Sequence, residues 1–393
     1  MDIVPSQRVQ SMGTYAFAEV DKLVGALKAR GIEPIDFGVG DPTIPPPPVA
    51  REAAAAGIEK HKTAGYPSYI GMDEYRQAVA DWTRRRHGVG LDAETEITST
   101  IGSKEAVFNF AEAFVDPGDV VIVPSPGYPP YTRGTLFAEG KAYYVPLLAE
   151  NDYLVDLSAI PAEVARAARV MWINYPNSPT GAVAPRSFLD DVIEFGHRHD
   201  IIIASDEAYS EIYFTGEPPV SALEIDREGV VVFQSLSKRS AMTGWRVGWV
   251  AGDERIVGAF KKVKTNIDSG TPNFIQEAAI AALGDEEHVR ESRDAYARKR
   301  RILADALVES GLDDCRPAAT IYHWQRAPEG RSGVNLATRL LSPEIAVVAT
   351  PGEWISNETE GGVNPGEGFV RFALVPSIEE TRQAAERIRA AKW

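Results

Sequence analysis

Residues 235–248, SLSKRSAMTGWRVG, hold side chains that could bind an aldehyde and an anion. Lys238 comes soon after the apolar run VVVFQ (230–234), which is typical of a buried strand. A lysine amine that is desolvated or lies near a second cation can form a Schiff base with an aldehyde. Arg246 could supply that cation. The alternative is an ordinary solvated lysine in a loop.

Asp206 closes a second apolar run, IIIASD (201–206). A buried carboxylate requires a cationic partner, and a protonated pyridine nitrogen would be one. Tyr209, three residues further on, could reach the same ligand. A helix-capping aspartate followed by a core tyrosine would give the same pattern.

Two further stretches favour anion binding. The sequence GSK (102–104) precedes a helical pattern, and a helix N-terminus attracts anions through its free N–H groups and its dipole. Ser103, Lys104, Ser235, Ser237 and Arg246 could together surround a phosphate, since arginine offers a planar fork of donors. An ordinary helix start is the alternative for GSK.

Arg371 lies in the apolar run GFVRFAL (368–374), and a buried arginine requires an anion. That anion could be a substrate carboxylate or the partner in an internal salt bridge. These residues could act on one ligand and its substrate. The amine would bind an aldehyde, the carboxylate a protonated ring, the cations a phosphate, and Arg371 an acidic substrate. The combination predicts a site for pyridoxal phosphate and an acidic substrate.

Strands and helices must alternate for these side chains to meet. Apolar runs at 119–124, 169–174, 201–206, 230–235 and 247–252 predict buried strands, and helical periods at 102–114, 185–200 and 286–311 predict helices. The alternation predicts an α/β fold, with a mostly parallel central sheet covered by helices. Ligands of such sheets bind beyond the strand ends.

Shorter strands predicted at 319–324 and 368–374 indicate a smaller α+β domain near the end of the chain. We predict an N-terminal arm that joins part of the small domain (1–44), a large cofactor-binding domain (45–285) and a small C-terminal domain (286–393).

Composition excludes several classes of function. The 393-residue chain has a net charge of −15, without the basic surface that nucleic-acid binding requires. Cys315 is the single cysteine, so no disulfide can form within the chain and a reducing cytoplasm is expected. No apolar window is long enough to span a membrane.

His197 and His199 lie on different faces of a predicted helix, so no metal site is expected. The stretch FGVGDP (37–42) lacks the full glycine fingerprint of a nicotinamide enzyme.

The sequence resembles the class I/II aminotransferases, which are fold-type I pyridoxal-phosphate enzymes, over nearly the whole chain. The resemblance rests on motifs in family order: YPSYIGMDEYR (66–76), GSKEA (102–106), PSPGYPPY (124–131), NYPNSPTG (174–181), DEAY (206–209), SLSKRSAMTGWRVG (235–248) and GFVRFAL (368–374). It implies a homodimer with shared active sites that acts on an amino acid and a 2-oxo acid.

The resemblance also implies a role for each matching residue. Lys238 would bind the cofactor as an imine and move the proton between the substrate Cα and the cofactor. Asp206 would pair with the ring nitrogen, Tyr209 would contact the phenolic oxygen, and Tyr128 would stack on the ring. The phosphate would be bound by Ser103, Lys104, Ser235, Ser237 and Arg246, and by Tyr66 of the neighbouring subunit. Arg371, with the backbone near Gly40, would bind the substrate α-carboxylate.

The chain departs from the family pattern at three places. Ser178 stands where the family usually has asparagine, so a hydroxyl replaces an amide donor to the cofactor oxygen, and Asn177 or Asn174 could substitute for that donor. We predict that Ser178 and Asn177 contact the cofactor and that Asn177 also contacts the substrate. Ala319 and Thr320 replace a usual pair of glycines. The loop 355–368 is long, so substrate specificity cannot be transferred through it.

Three stretches are most similar to LL-diaminopimelate aminotransferases: residues 12–31, 128–147 and 171–185. This similarity predicts a ping-pong transfer between LL-diaminopimelate and 2-oxoglutarate, with Tyr15 facing the substrate. Aminotransferases for alanine, aspartate, aromatic amino acids or N-succinyl-diaminopimelate remain alternatives. A β-lyase of the same fold, a cyclopropane-forming synthase and a cofactor-binding sensor without turnover also remain open.

Overall fold

The computed structural model describes residues 1, 3–12, 18–42 and 44–391, with the side chains of 18 and 19 left undescribed. Its helices are α1 Gln7–Gln10, α2 Ala18–Ala29, α3 Pro48–Lys60, α4 Asp73–His87, α5 Ser103–Asn109, α6 Ala111–Phe114, α7 Pro129–Phe137, α8 Ala162–Ala167, α9 Arg186–His199, α10 Leu236–Arg239, α11 Glu254–Lys264, α12 Asn273–Leu283, α13 Glu287–Glu309, α14 Gly333–Leu340 and α15 Ile378–Ala390. Its strands are β1 Ile35–Asp36, β2 Ile97–Thr100, β3 Val120–Ser125, β4 Lys141–Pro146, β5 Ala168–Asn174, β6 Ile202–Asp206, β7 Val230–Ser235, β8 Gly248–Gly252, β9 Tyr322–Arg326, β10 Val347–Val348, β11 Thr350–Pro351 and β12 Phe369–Ala373.

The central sheet has seven strands in the order β2-β8-β7-β6-β5-β3-β4. The ladders from β4 to β7 are all parallel, and β8 alone runs antiparallel to its neighbours β7 and β2. All six residues of β7 are buried, as expected for a strand covered by helices on both faces. The predicted α/β fold with a mostly parallel central sheet is therefore confirmed.

The sheet packs through aromatic rings against Phe110, the residue that joins α5 to α6. The ring centroid of Phe110 lies 5.2 Å from that of Phe233 and 5.7 Å from that of Trp172. Both phenylalanines are fully buried, and burial of each side chain contributes about 1.5–3 kcal/mol. This packing fixes the end of α5 against β5 and β7.

The carboxyl ends of four parallel strands meet at one edge. β3 ends at Ser125, β5 at Asn174, β6 at Asp206 and β7 at Ser235, and the register places Asn174 beside Asp206 and Asp206 beside Phe233. The polar residues that follow these strands are therefore brought to the same edge of the sheet.

A second, antiparallel sheet of order β11-β12-β9 lies in the C-terminal part of the chain, where α13 packs against α15. The N-terminal segment joins this part, because β1 pairs in parallel with β10. This arrangement agrees with a small α+β unit, while the domain boundaries proposed from the sequence stay a prediction.

The strand predicted at 319–324 begins later than expected. Thr320 has a left-handed backbone, with φ of +73°, which a regular strand does not accommodate. Ala319 instead donates its N–H to Gly181 and forms a bridge with Tyr213. The strand therefore runs from Tyr322 to Arg326.

The helix predicted at 102–114 is present as α5 and α6, with Phe110 between them. In the described part of the chain, no helix combines the length and the apolar character that crossing a membrane would require.

Candidate active site

A cavity of about 600 Å³ opens beyond the carboxyl ends of the parallel strands. The residues predicted from the sequence that line it are Gly40, Ser103, Lys104, Tyr128, Ser178, Asp206, Tyr209, Ser235, Ser237, Lys238 and Arg246. Residues separated by up to two hundred positions are thus brought together, as the ends of the strands predicted.

Lys238 lies on the short helix α10, which begins directly after β7. The hydroxyl of Ser235 accepts a hydrogen bond from the N–H of Ser237 and fixes the start of this helix. The Lys238 amine donates to the carbonyl of Gly40 at 2.6 Å. Burial lowers the pKa of this amine, and the nearby guanidinium groups of Arg246 and Arg371 act in the same direction. A neutral amine is the form that attacks an aldehyde.

Asp206 is buried at the end of β6, with 5% of its surface exposed. It accepts hydrogen bonds from the hydroxyl of Tyr131 at 2.7 Å and from the N–H of Ala208 at 3.2 Å. Among the described residues no cation pairs with it, and burial raises the pKa of its carboxyl. A protonated ring nitrogen would supply the charge that this carboxylate lacks.

The opposite end of the cavity is cationic. Arg246 donates to the carbonyls of Thr243 at 2.7 Å and Ile101 at 3.4 Å, and no carboxylate pairs with it in the described part of the chain. A Cβ at Gly102 would lie 2.4 Å from Nη2 of Arg246, so glycine is required there for the close approach. Together with Ser103, Lys104, Ser235 and Ser237, this guanidinium forms a pocket suited to phosphate.

Arg371 lies just behind the cavity wall, on β12. Its Nη2 donates to the carbonyl of Gly38 at 2.8 Å, and its guanidinium lies over the ring of Tyr322, 4.8 Å from the centroid. Its Nε is buried without a hydrogen-bond partner. The alternative, an internal salt bridge, is absent among the described residues, and the substrate carboxylate stays a prediction for this arginine.

Asn177 is not among the residues that line the cavity, and its contact with cofactor and substrate stays a prediction. Its Oδ1 accepts hydrogen bonds from the N–H and the hydroxyl of Thr180, at 3.2 and 2.7 Å, and it is fully buried. Asn174 and Ser178 line the cavity instead. The side chain of Asn174 donates to the Asp206 carbonyl and accepts from the Ser178 N–H, at 2.8 Å in both cases.

Tyr66, predicted to complete the phosphate site of a neighbouring subunit, lies away from this cavity. Tyr66 is 88% exposed and does not line the cavity of its own chain, a position from which contact with a second subunit is sterically open. Tyr15 falls outside the described residues.

Sequence reasoning missed two tyrosines that lie at the centre of the site. Tyr131 stacks on Trp172, with centroids 4.7 Å apart, and thereby aims its hydroxyl at Asp206. Tyr322 lies between Arg371 and Tyr209. Tyr131 follows Tyr128 within the motif PSPGYPPY, so its spacing on one helical turn could have indicated it; nothing in the sequence around Tyr322 distinguishes it from a core residue.

The residues present fit pyridoxal phosphate. The unpaired buried carboxylate, the amine with a lowered pKa and the cationic pocket face one cavity from separate sides. In the described residues no group of histidine, cysteine, aspartate or glutamate is arranged to hold a metal ion.

Comparison with known proteins identifies the family. The sequence model of "Aminotransferase class I and II" matches residues 32–388. The chain belongs to the class I and II aminotransferases. It is a pyridoxal-phosphate-dependent aminotransferase, and its substrates are an amino acid and a 2-oxo acid.

Individual members of the family match along their full length. The LL-diaminopimelate aminotransferase of Aquifex aeolicus is 42% identical over 98% of this chain and 99% of its own. That of Syntrophobacter fumaroxidans is 44% identical over 99% of both chains. A solved structure of a single mutant of Thermus thermophilus aspartate aminotransferase superposes with a TM-score of 0.88, at 30% identity and with 99% of both chains covered.

Proposed function

We propose that this aminotransferase transfers an amino group between LL-diaminopimelate and 2-oxoglutarate by a ping-pong mechanism. The proposal rests on the full-length identity of 42–44% to proteins named LL-diaminopimelate aminotransferase. A relative named for aspartate matches at 30% identity. Aspartate therefore has less support, as do the alanine, aromatic and N-succinyl-diaminopimelate alternatives.

Bound pyridoxal phosphate supplies an aldehyde for an amine and a protonated ring that accepts the electrons of the substrate Cα–H bond. Lys238 is proposed to hold the aldehyde carbon and then to carry the proton away from the substrate Cα. The proposal is supported by the position of Lys238, whose amine lies 2.6 Å from the Gly40 carbonyl and which lines the same cavity as Asp206 and Arg246. A general base must lie within hydrogen-bond reach of the proton it moves.

Asp206 is proposed to keep the ring nitrogen protonated, and Tyr131 to hold Asp206 in its ionised form through the 2.7 Å hydrogen bond. Tyr209 would donate to the phenolic oxygen, and Tyr128 would cover the ring. Arg246 and the surrounding hydroxyls and Lys104 would bind the phosphate. Arg371 would orient the substrate carboxylate, which it can grip with two parallel N–H groups.

The proposed substrate is tested in a half-reaction without any 2-oxo acid. LL-diaminopimelate, glutamate, aspartate, alanine and the aromatic amino acids are added singly to cofactor-loaded protein, and the absorbance of the bound cofactor is followed. Conversion by LL-diaminopimelate and glutamate supports the proposal. Conversion by other amino acids alone would retain the aminotransferase and discard this substrate.

Release of a keto acid and ammonia without a second substrate would instead indicate the β-lyase reaction. That reaction would use the same cofactor-binding residues, because the leaving group of the substrate decides the path. Analysis of the products of one turnover separates the two.

We also propose a homodimer in which Tyr66 of each subunit completes the phosphate site of the other. Exposed apolar side chains near Tyr66 in the chain include Ile58 and Tyr69, and Ile267 is exposed in a nearby loop. That loop is close to the Tyr66 segment, because a Cβ at Gly270 would lie 2.4 Å from the carbonyl oxygen of Ser68. We propose that the second subunit covers these side chains.

The cytoplasm is the compartment we propose, in line with the single cysteine. Cell fractionation with activity assays tests it.

A further inference from the structure

Tyr322 opens β9 with its side chain directed into the active-site cavity. Its N–H donates to the hydroxyl of Thr320 at 3.1 Å, and Thr320 carries the left-handed backbone that sets the start of the strand. β9 pairs with β12 so that Tyr322 lies opposite Ala373 and Trp324 lies opposite Arg371. Tyr322 is 6% exposed, so its ring has little freedom to move.

The ring of Tyr322 is the flat surface on which Arg371 rests, at 4.8 Å from guanidinium carbon to centroid. The remaining polar contacts of this guanidinium are with the Gly38 carbonyl at 2.8 Å and the Thr350 hydroxyl at 3.5 Å, both from Nη2. A guanidinium over a desolvated aromatic face is attracted by the ring quadrupole. The direction of the fork of N–H donors therefore depends on this ring.

The hydroxyl of Tyr322 lies next to Tyr209 and the turn at Gly40. It accepts a hydrogen bond from the hydroxyl of Tyr209 at 3.4 Å, and the two rings meet edge to face with centroids 5.8 Å apart. A Cβ added at Gly40 would lie 2.0 Å from this hydroxyl oxygen. Tyr322 therefore touches three parts of the site. These are the turn at Gly40, Tyr209, which is proposed to contact the cofactor, and Arg371, which is proposed to bind the substrate.

Several titratable groups face Tyr322: Arg371, Lys238, Tyr209, Tyr128 and Tyr296. Burial alone would raise the pKa of the Tyr322 hydroxyl. The guanidinium of Arg371 and the amine of Lys238 nevertheless bring that pKa below its ordinary value. The geometry of the contact makes its oxygen an acceptor for the hydroxyl of Tyr209.

We propose that Tyr322 is a positioning residue that fixes Arg371 through its ring and Tyr209 through its hydroxyl. It would thereby set the position of the substrate carboxylate relative to the cofactor. The inference rests on the proposed roles of Arg371 and Tyr209. It does not depend on which amino acid is the substrate.

Two variants separate the ring from the hydroxyl. Tyr322→Leu removes both, and we expect the KM for the amino acid to rise about tenfold, because a cation–π contact of this type is lost. Tyr322→Phe keeps the ring, and its KM stays close to that of the wild type. Measurement uses whichever amino acid the wild type converts, so failure of the LL-diaminopimelate proposal leaves this test intact.

The hydroxyl is tested without turnover. The absorbance of cofactor linked to Lys238 reports whether the linkage nitrogen is protonated, and its pH midpoint can be titrated. In Tyr322→Phe, Tyr209 would lose its acceptor at Tyr322 and would give its hydrogen wholly to the phenolic oxygen of the cofactor. That change would disfavour the protonated linkage, so we expect the midpoint to move to lower pH.

Tyr175→Phe is the matched control, because this buried tyrosine donates to the carbonyl of Tyr153 at 3.0 Å and does not line the cavity. It should change neither the KM nor the midpoint. An unchanged KM in folded, cofactor-loaded Tyr322→Leu would overturn the role of the ring. An unchanged midpoint in Tyr322→Phe would overturn the role of the hydroxyl, and this second test decides alone if the leucine variant does not fold.

Discussion

Lys238 and Asp206 line the same cavity, and burial disfavours the charged form of each. Burial lowers the pKa of the Lys238 amine, which favours a neutral nucleophile. Burial raises the pKa of the Asp206 carboxyl, which has neutral hydrogen-bond donors for neighbours. One ligand would suit both residues, because its aldehyde reacts with a neutral amine and its protonated ring supplies a cation for the carboxylate. This complementarity is the argument for pyridoxal phosphate at the scale of residues.

Replacing Lys238 tests the covalent link. Lys238→Ala should retain its fold, because within the described part of the chain the amine makes one hydrogen bond, to the Gly40 carbonyl. We expect no turnover and no borohydride-reducible linkage at this position, as seen by mass spectrometry. Lys262→Ala, on the exposed face of α11, is the control. Turnover by the Lys238 variant would refute the assignment.

Tyr131 gives a prediction in pH. Its hydrogen bond lowers the pKa of Asp206 against the effect of burial, so Tyr131→Phe should raise that pKa. If the ionised carboxylate is the active form, the acid limb of the kcat/KM profile moves to higher pH while the alkaline limb stays. A profile superimposable on that of the wild type would show that this hydrogen bond does not tune Asp206.

At the scale of elements, the turn between β2 and α5 restricts which residue can stand at position 102. Gly102 has φ of +69°, and its missing Cβ leaves room for Arg246. Gly102→Ala combines backbone strain with a displaced guanidinium, and we expect the dissociation constant of pyridoxal phosphate to rise about tenfold.

Gly25→Ala is the matched control for that variant, because no atom lies within 4 Å of the added Cβ and the residue has no left-handed backbone. Equilibrium titration of apoprotein with the cofactor measures both. Equal affinity of the two variants would mean that the turn does not set the phosphate site.

The sequence predicted those elements whose local pattern agrees with their burial. The runs that became β5, β6 and β7 are continuously apolar because helices cover both faces, and their polar ends line the cavity as expected. The predicted start of β9 was wrong, because the left-handed backbone of Thr320 depends on contacts with segments far away in the chain. The role of Asn177 stays a prediction: its amide oxygen binds within its own turn, to Thr180, and sequence alone does not reveal which of two nearby amides, Asn174 or Asn177, faces the cavity.

For the whole molecule, the central prediction is that active sites are shared between subunits. The exposure of Tyr66 and the exposed apolar residues near it motivate a complementation experiment. Lys238→Ala and Tyr66→Ala homodimers, each impaired, are unfolded, mixed and refolded with cofactor. The mixed dimer contains one site with both intact residues only if Tyr66 acts on its neighbour, so activity should reappear on mixing.

No recovery, with mixed dimers verified by differently tagged subunits, would show that Tyr66 serves its own chain or no site. Mixing Lys238→Ala with Tyr66→Phe grades the same effect, because phenylalanine retains the ring and removes the hydroxyl.

The most direct measurement is the specificity of the cofactor-loaded wild type for its amino donor. The kcat/KM for LL-diaminopimelate with 2-oxoglutarate would be compared with the values for aspartate, alanine, aromatic amino acids and N-succinyl-diaminopimelate, with product glutamate detected directly. We predict that LL-diaminopimelate gives the highest kcat/KM and that double-reciprocal plots are parallel, as a ping-pong mechanism requires. A higher kcat/KM for any of the other donors, or no glutamate formed from LL-diaminopimelate, would contradict the proposed function.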